Sequence, residues 1–329
     1  MSQTKTPAAR LPFTARALLA PMEGVTEPCF RDLVLERNPP EALGGAFTEF
    51  ARVTREPLPR RVIRAHLGPR RFPQPVGLQL MGSDAQALAE SARRAVQEGA
   101  PLIDLNFGCP AKGALRGCAG SALLDDPPRL EALVRAAVEA VAGAVPVTAK
   151  IRAGGEDDRL LEDLARAAEA GGAALLTVHC RTRREGYRDT ADWERLRRAV
   201  AAVGIPVCGN GGVRSHADLE RLRRETGCAF AMVGRAALGD PWIFGGRSVG
   251  KPEAARFLLT YAAMLASHGG MSAAGRAGRV KQLLQHWRAG ELVGSDRAAW
   301  LKERDPERLF ARLAEAAEER SPTPAGAAL

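Results

Sequence analysis

The sequence predicts a (β/α)8 TIM barrel followed by a small all-helical C-terminal domain, and three observations predict it. Short apolar segments recur eight times before residue 240, and most are continuous rather than alternating, as parallel strands covered on both faces must be. Longer segments of helical period, stopped by glycine, separate them from the third onward. After Asp240-Pro241 the strand-like segments cease and only helical patterns follow. Strand and helix alternating in this way close a barrel more naturally than an open sheet.

The expected strands are residues 17–21, 45–50, 76–81, 102–106, 147–151, 175–179, 205–209 and 230–234. Residues 85–98 carry Leu88, Ala92, Ala95 and Val96 at three/four spacing, with Gly99 as the stop. Residues 129–141 repeat the pattern after Asp125-Asp126-Pro127-Pro128, a start signal. Further helices are expected over 160–170, 192–203 and 216–225, ending at Gly171, Gly204 and Gly227. Beyond the barrel the helical stretches are 254–267, 276–288 and 306–320. The domain division is therefore a catalytic barrel over 15–245 and a helical domain over 252–320, with flexible termini at 1–14 and 321–329.

Composition narrows the class of function. With 46% hydrophobic but only 5% aromatic residues, the core must be aliphatic. The 47 Lys+Arg against 38 Asp+Glu give a net charge of +9, and nearly all the basic residues are Arg. That balance fits an Arg-rich proteome or a polyanionic partner, since the guanidinium fork suits phosphate. The six cysteines include no C-x-x-C pair, which argues against a zinc site and a disulfide framework. No apolar run approaches the ~20 residues of a membrane span, and Ala17-Leu18-Leu19-Ala20 runs too soon into Pro21 for a signal peptide. The expectation is a cytoplasmic monomer without a metal.

Polar residues at the strand ends of such a barrel line its active site. In order they are Met22 and Glu23, Glu49, Gln79, Asn106 with Cys109, Lys150 with Arg152, His179 with Arg181, Asn210, and Gly234 with Arg235. The glycines Gly209, Gly211, Gly212 and Gly234 either let backbone N–H groups approach a phosphate or make tight turns. Lys150, inside an apolar strand, suits a Schiff base, a fixed cation facing an anionic ring, or a structural ion pair. Cys109, between Gly108 and Pro110, can give a proton as a thiol or attack as a thiolate.

The motifs Ala20-Pro21-Met22-Glu23-Gly24-Val25-Thr26, Thr48-Glu49-Phe50, Val76-Gly77-Leu78-Gln79-Leu80, Asp104-Leu105-Asn106-Phe107-Gly108-Cys109-Pro110, Ala149-Lys150-Ile151-Arg152, Val178-His179-Cys180-Arg181-Thr182 and Val233-Gly234-Arg235 occur in order. Together they resemble the tRNA-dihydrouridine synthases. Gly278-Arg279-Val280-Lys281-Gln282-Leu283 extends the likeness to the helical domain of the bacterial C type, which acts at uridine 16. The resemblance implies an FMN enzyme that uses NADPH to reduce the C5=C6 bond of a uridine in the tRNA D-loop. It implies Pro21, Met22, Glu23, Gln79, Lys150 and His179 around the flavin, and Asn210, Gly211, Gly212, Gly234 and Arg235 at its phosphate. Cys109 would be the proton donor, and Arg52, Asn106, Arg152, Tyr187 and Arg279 would meet tRNA. The chain departs from the family at Cys180, where glycine is usual, and at Trp300, where the C type carries arginine. Two rival readings remain at this point: another FMN barrel oxidoreductase of the dihydroorotate type, and a tRNA-binding protein that has lost catalysis.

Overall fold

The computed structural model describes residues 10–187 and 190–319. Its strands are β1 (Ala17–Leu19), β2 (Gly45–Phe47), β3 (Ala51–Arg52), β4 (Val76–Met81), β5 (Ile103–Phe107), β6 (Val147–Arg152), β7 (Leu175–His179), β8 (Val207–Asn210) and β9 (Phe230–Val233). Every pairing between them is parallel, and β1 pairs with both β2 and β9, so the sheet closes. Both β2 and β3 pair with β4: Ala46 stands opposite Val76 and Ala51 opposite Leu80. They are one barrel strand interrupted by a one-residue bulge at Thr48–Glu49–Phe50, whose ladder gap is filled by Thr48 Oγ1 accepting from Gln79 N at 3.1 Å. The eight expected strands are thus the eight of a closed barrel.

Strand alternation divides the barrel interior into two levels. Leu18, Phe47, Leu102, Leu175, Cys208 and Met232 form an apolar floor. Phe13 plugs it from below, its ring 6.0 Å from Phe47 and 5.5 Å from Phe230. Those contacts place Phe13, which the sequence leaves in a flexible extension, inside the fold. Residues 1–9 and 320–329, including the last residue of the expected helix 306–320, lie outside the described residues. Above the floor the inward positions turn polar: Gln79, Asp104, Thr148, Thr177, His179 and Asn210 are all buried.

The outer helices are α1 (Pro28–Arg37), α2 (Arg60–Leu67), α3 (Ala85–Gln97), α4 (Lys112–Arg116), α5 (Pro127–Val141), α6 (Leu161–Ala170), α7 (Glu194–Ala202), α8 (His216–Thr226) and α9 (Arg235–Gly239). Caps explain several starts: Asp84 accepts from Ala87 N, Asp126 from Arg129 N, and Ser215 forms a capping box with Asp218. Helix α1 has no polar face to reveal it in the sequence, because Cys29 through Leu35 are all buried.

Four helices follow: α10 (Lys251–Gly269), α11 (Ala273–Leu284), α12 (Arg297–Lys302) and α13 (Pro306–Glu318). They share the barrel's outer core. Phe257 meets Phe30 at 6.3 Å and Trp242 at 5.3 Å, and Tyr261 meets Phe30 at 6.0 Å. Helix α11 stops four residues before the expected 288. Arg288 N there donates to Gly239 O at 2.8 Å, and the Arg297 guanidinium caps Leu284 O and Trp287 O, each at 2.6 Å. Tertiary docking, not helix propensity, sets that end.

Candidate active site

The carboxyl ends of the strands open into a cavity of about 1000 Å3. Pro21, Met22 and Glu23 form one wall, Asn106 with Gly108 through Ala111 another, and Lys150, Arg152, His179, Tyr187, Asn210, Gly211, Gly212, Gly234 and Arg235 the remainder of the rim. Most of the residues singled out in the sequence therefore converge, although they lie up to 214 positions apart (Pro21 to Arg235).

The floor is cationic. Lys150 Nζ donates to Asn210 Oδ1 at 3.3 Å, and Asn210 Nδ2 donates to Met232 O at 2.8 Å, which fixes the amide's direction. Burial and the nearby Arg152 push the Lys150 ammonium below its ordinary range, against the pull of Asp104. His179 is held neutral, well below its usual value, by burial and by the positive charges of Lys150 and Arg152. Such a floor favours a bound anion, whose charge would relieve the crowding of cations.

The glycine loops match that charge. Gly211 and Gly212 have φ of +108° and +80°; a Cβ on the first would lie 2.8 Å from Cys180 Sγ, and on the second 2.7 Å from Ala191 Cβ. No side chain can stand there, so backbone is exposed to whatever fills the cavity. Cys180 is fully buried behind this loop, and burial pushes its thiol up to about 11. The donors, the bare backbone and the apolar wall of Ala20, Met22 and Met232 fit a planar cofactor with a phosphate tail, as FMN is.

Cys109 faces the same cavity and is 9% exposed. Burial, the largest effect, raises its thiol above the ordinary 9.0, with Glu23 adding to the rise. It is a protonated thiol at neutral pH. Its loop is pinned on both sides: Gly108 O accepts from Arg152 Nε at 2.7 Å and Cys109 O from Ser121 N at 3.0 Å. Tyr187, 54% exposed, stands between the guanidinium groups of Arg152 and Arg235, at 5.0 and 4.6 Å from its centroid, with its ring edge-on to His179.

Four predicted residues are not brought to the cavity lining, the partly buried strand-end Glu49 among them. Gln79 is fully buried beneath it, bonded to Asp104 and Asn106. Arg52 lies at the edge, donating to Gly113 O at 2.6 Å in α4, the short helix that follows Cys109. Arg279 sits behind the rim, paired with Glu27 at 3.0 Å and donating to Gly24 O. Conversely, Arg214, Gln285, His286, Arg288 and Arg297 line the cavity and were assigned no role from sequence. Arg214 was within reach, two residues past Gly212. The others arrive only because the segment after α11 docks against α9.

A closed parallel barrel with polar and cationic side chains converging on its open rim defines a barrel enzyme with its chemistry at the strand ends. Residues 18–288 match the dihydrouridine synthase (Dus) family, and the chain belongs to it. It is 42% identical over 235 residues to the tRNA-dihydrouridine(16) synthase of Cupriavidus necator, covering 70% of this chain and 72% of that protein. It is 41% identical over 248 residues to the tRNA-dihydrouridine synthase B of Xanthomonas axonopodis pv. citri, covering 74% and 70%. A probable tRNA-dihydrouridine synthase of Rhizobium leguminosarum bv. phaseoli is 34% identical over 308 residues, covering 91% and 94%. Several relatives at about 40% identity carry the (16) name, which places the chain with the bacterial C type. Among solved structures, histamine dehydrogenase from Rhizobium sp. 4-9 shares the fold, with a TM-score of 0.53 at 14% identity, covering 83% of this chain and 49% of that one.

Proposed function

We propose that this protein is a tRNA-dihydrouridine synthase that binds FMN, takes electrons from NADPH and reduces the C5=C6 bond of a D-loop uridine, at position 16 as the name of its similar relatives has it. The observation that carries the reading is the cavity in which a protonated Cys109 thiol stands on one wall and the Lys150–Asn210 pair on the floor. FMN held there by these residues would, once reduced, supply the hydride for C6 of the uracil. The remaining work belongs to the chain. Lys150 holds a positive charge where negative charge develops. The backbone of Gly211, Gly212 and Gly234, with Arg235, holds the phosphate. His179, neutral, offers a ring nitrogen to the cofactor without adding charge, and Met22 and Pro21 keep water from one face. Cys109 gives its proton to C5, which must be protonated as the double bond is lost.

A uridine must leave its stack to reach the cavity floor, so a platform at the mouth is required. Tyr187 between Arg152 and Arg235 supplies an aromatic face with flanking cations. Arg52 at the edge and the excess of arginine suit the tRNA backbone, while Arg279 supports the rim from behind. Among the described residues no helix is long and apolar enough to cross a membrane.

The test is direct. Purified protein should carry or take up FMN, and with NADPH and an unmodified tRNA transcript it should form dihydrouridine, mapped to one position by primer extension. Protein that stays colourless and takes up no FMN overturns the reading. Dihydrouridine at another position leaves the chemistry and corrects the site.

A further inference from the structure

Asp104 has no part in the reaction just described, yet its carboxyl is 1% exposed inside the barrel. Burial pushes it up to about 6, against the hydrogen bonds of Gln79 and Thr148, which leaves it a carboxylate at pH 7. Its Oδ2 accepts from Gln79 Nε2 at 2.6 Å and its Oδ1 from Thr148 Oγ1 at 2.5 Å. Gln79 Oε1 in turn accepts from Asn106 Nδ2 at 2.7 Å. Asn106 Oδ1 then accepts from the backbone N–H groups of Gly108, at 3.0 Å, and Cys109, at 2.9 Å. The register makes this possible, since Gln79 stands opposite Asp104 and Asp104 opposite Thr148, all facing inward.

An amide side chain has two ends of similar shape and opposite polarity, so its direction is set by a neighbour that can only accept or only donate. A carboxylate only accepts. With Asp104 at one end, Gln79 must turn its NH2 down and its oxygen up toward Asn106. Asn106 must then turn its NH2 to Gln79 and its oxygen to Cys109 N. Reversing Gln79 would set NH2 against NH2. We infer that Asp104 is a positioning residue for Cys109: through Gln79 and Asn106 it fixes the hydrogen-bond direction in which Asn106 Oδ1 holds the backbone N–H of Cys109. The catalytic consequence rests on Cys109 being the proton donor. The tether itself does not.

Three variants test it. Asp104→Asn removes the acceptor-only end. Asn106→Asp places an acceptor against Gln79 Oε1. The double variant reverses the whole relay: the Asn introduced at 104 donates to Gln79, Gln79 Nε2 donates to the Asp introduced at 106, and that carboxylate still accepts from Cys109 N. Alkylation of Cys109 by iodoacetamide is followed by peptide mass spectrometry, which separates it from the exposed Cys118. It needs neither flavin nor tRNA, so it reads the tether even if Cys109 proves dispensable for catalysis. Each single variant should alkylate several-fold faster, and Asp104→Asn, at a position that does not line the cavity, should lose ~10–100-fold in kcat with little change in KM for tRNA. The double variant should return the alkylation rate and the thermal midpoint toward those of the parent. A parental alkylation rate and kcat in Asp104→Asn overturn the inference. If that variant does not fold, a double variant no more stable and no slower to alkylate than Asn106→Asp overturns it.

Discussion

Cys109 shows how far one position can be read from its neighbours. Gly108 and Pro110 mark it as a loop residue at a strand end, and burial then keeps its thiol protonated. Cys109→Ala should therefore keep FMN and its reduction by NADPH but lose ~10²–10⁴-fold in the rate of dihydrouridine formation, measured in a single turnover. An undiminished rate removes Cys109 as the acid. The pH dependence has a definite sign. The active form of Cys109 is the protonated one and its pKa is raised, so its contribution persists through neutral pH and is lost only as pH rises past the 9.0 of an ordinary thiol, whereas Lys150, lowered to about 8, loses its charge first. An alkaline limb below that value in the kcat profile would assign the loss to another group. Gln79 shows the limit of such reading. Its strand-end position is evident, but its burial depends on Asp104 and Asn106 both accepting it as a partner, which no local pattern encodes.

At the scale of elements, the strands were legible because a strand buried on both faces is largely apolar, and most of the eight barrel strands show that continuous run before their inward positions turn polar. The bulge between β2 and β3 was not, since Thr48 replaces a backbone partner with its hydroxyl. Helices α1 and α2 were hidden for the opposite reason to the strands: α1 is buried along most of its length, and α2 buries only Ile63 and Leu67. The glycine loops after β8 and β9 carry a prediction of their own. A methyl group at Gly212 meets Ala191 Cβ at 2.7 Å and Trp193 Nε1 at 2.9 Å in a backbone conformation that suits only glycine. Gly212→Ala should cost about 1–3 kcal/mol of local strain and weaken FMN binding by roughly 10–100-fold. Titrating deflavinated protein with FMN and following fluorescence quenching measures it; parental affinity would place the phosphate elsewhere.

The whole molecule depends on a seam between barrel and helices that neither half announces. Glu27 caps α1 by accepting from Cys29 N, and its other oxygen accepts from Tyr261 Oη at 2.7 Å and Arg279 at 3.0 Å, which ties the loop of Met22 to Thr26 to α10 and α11. At the far side of the cavity the docked segment brings His286, Arg288 and Arg297 to face Arg235, and their charges together with burial hold His286 below its usual value. Two arginines thus have separable roles. Arg288→Ala removes a cation from the open cavity wall and should reduce the salt dependence of tRNA affinity by about one unit in the slope of log K against log salt. Arg279→Ala instead leaves a half-buried Glu27 oxygen short of one partner, so it should cost about 1–3 kcal/mol of stability and leave that slope unchanged. Thermal melting with tRNA titrations across a salt series separates the two. A shallower slope for Arg279→Ala would mean that its guanidinium leaves Glu27 for phosphate when tRNA binds, as the motif resemblance in the sequence expects.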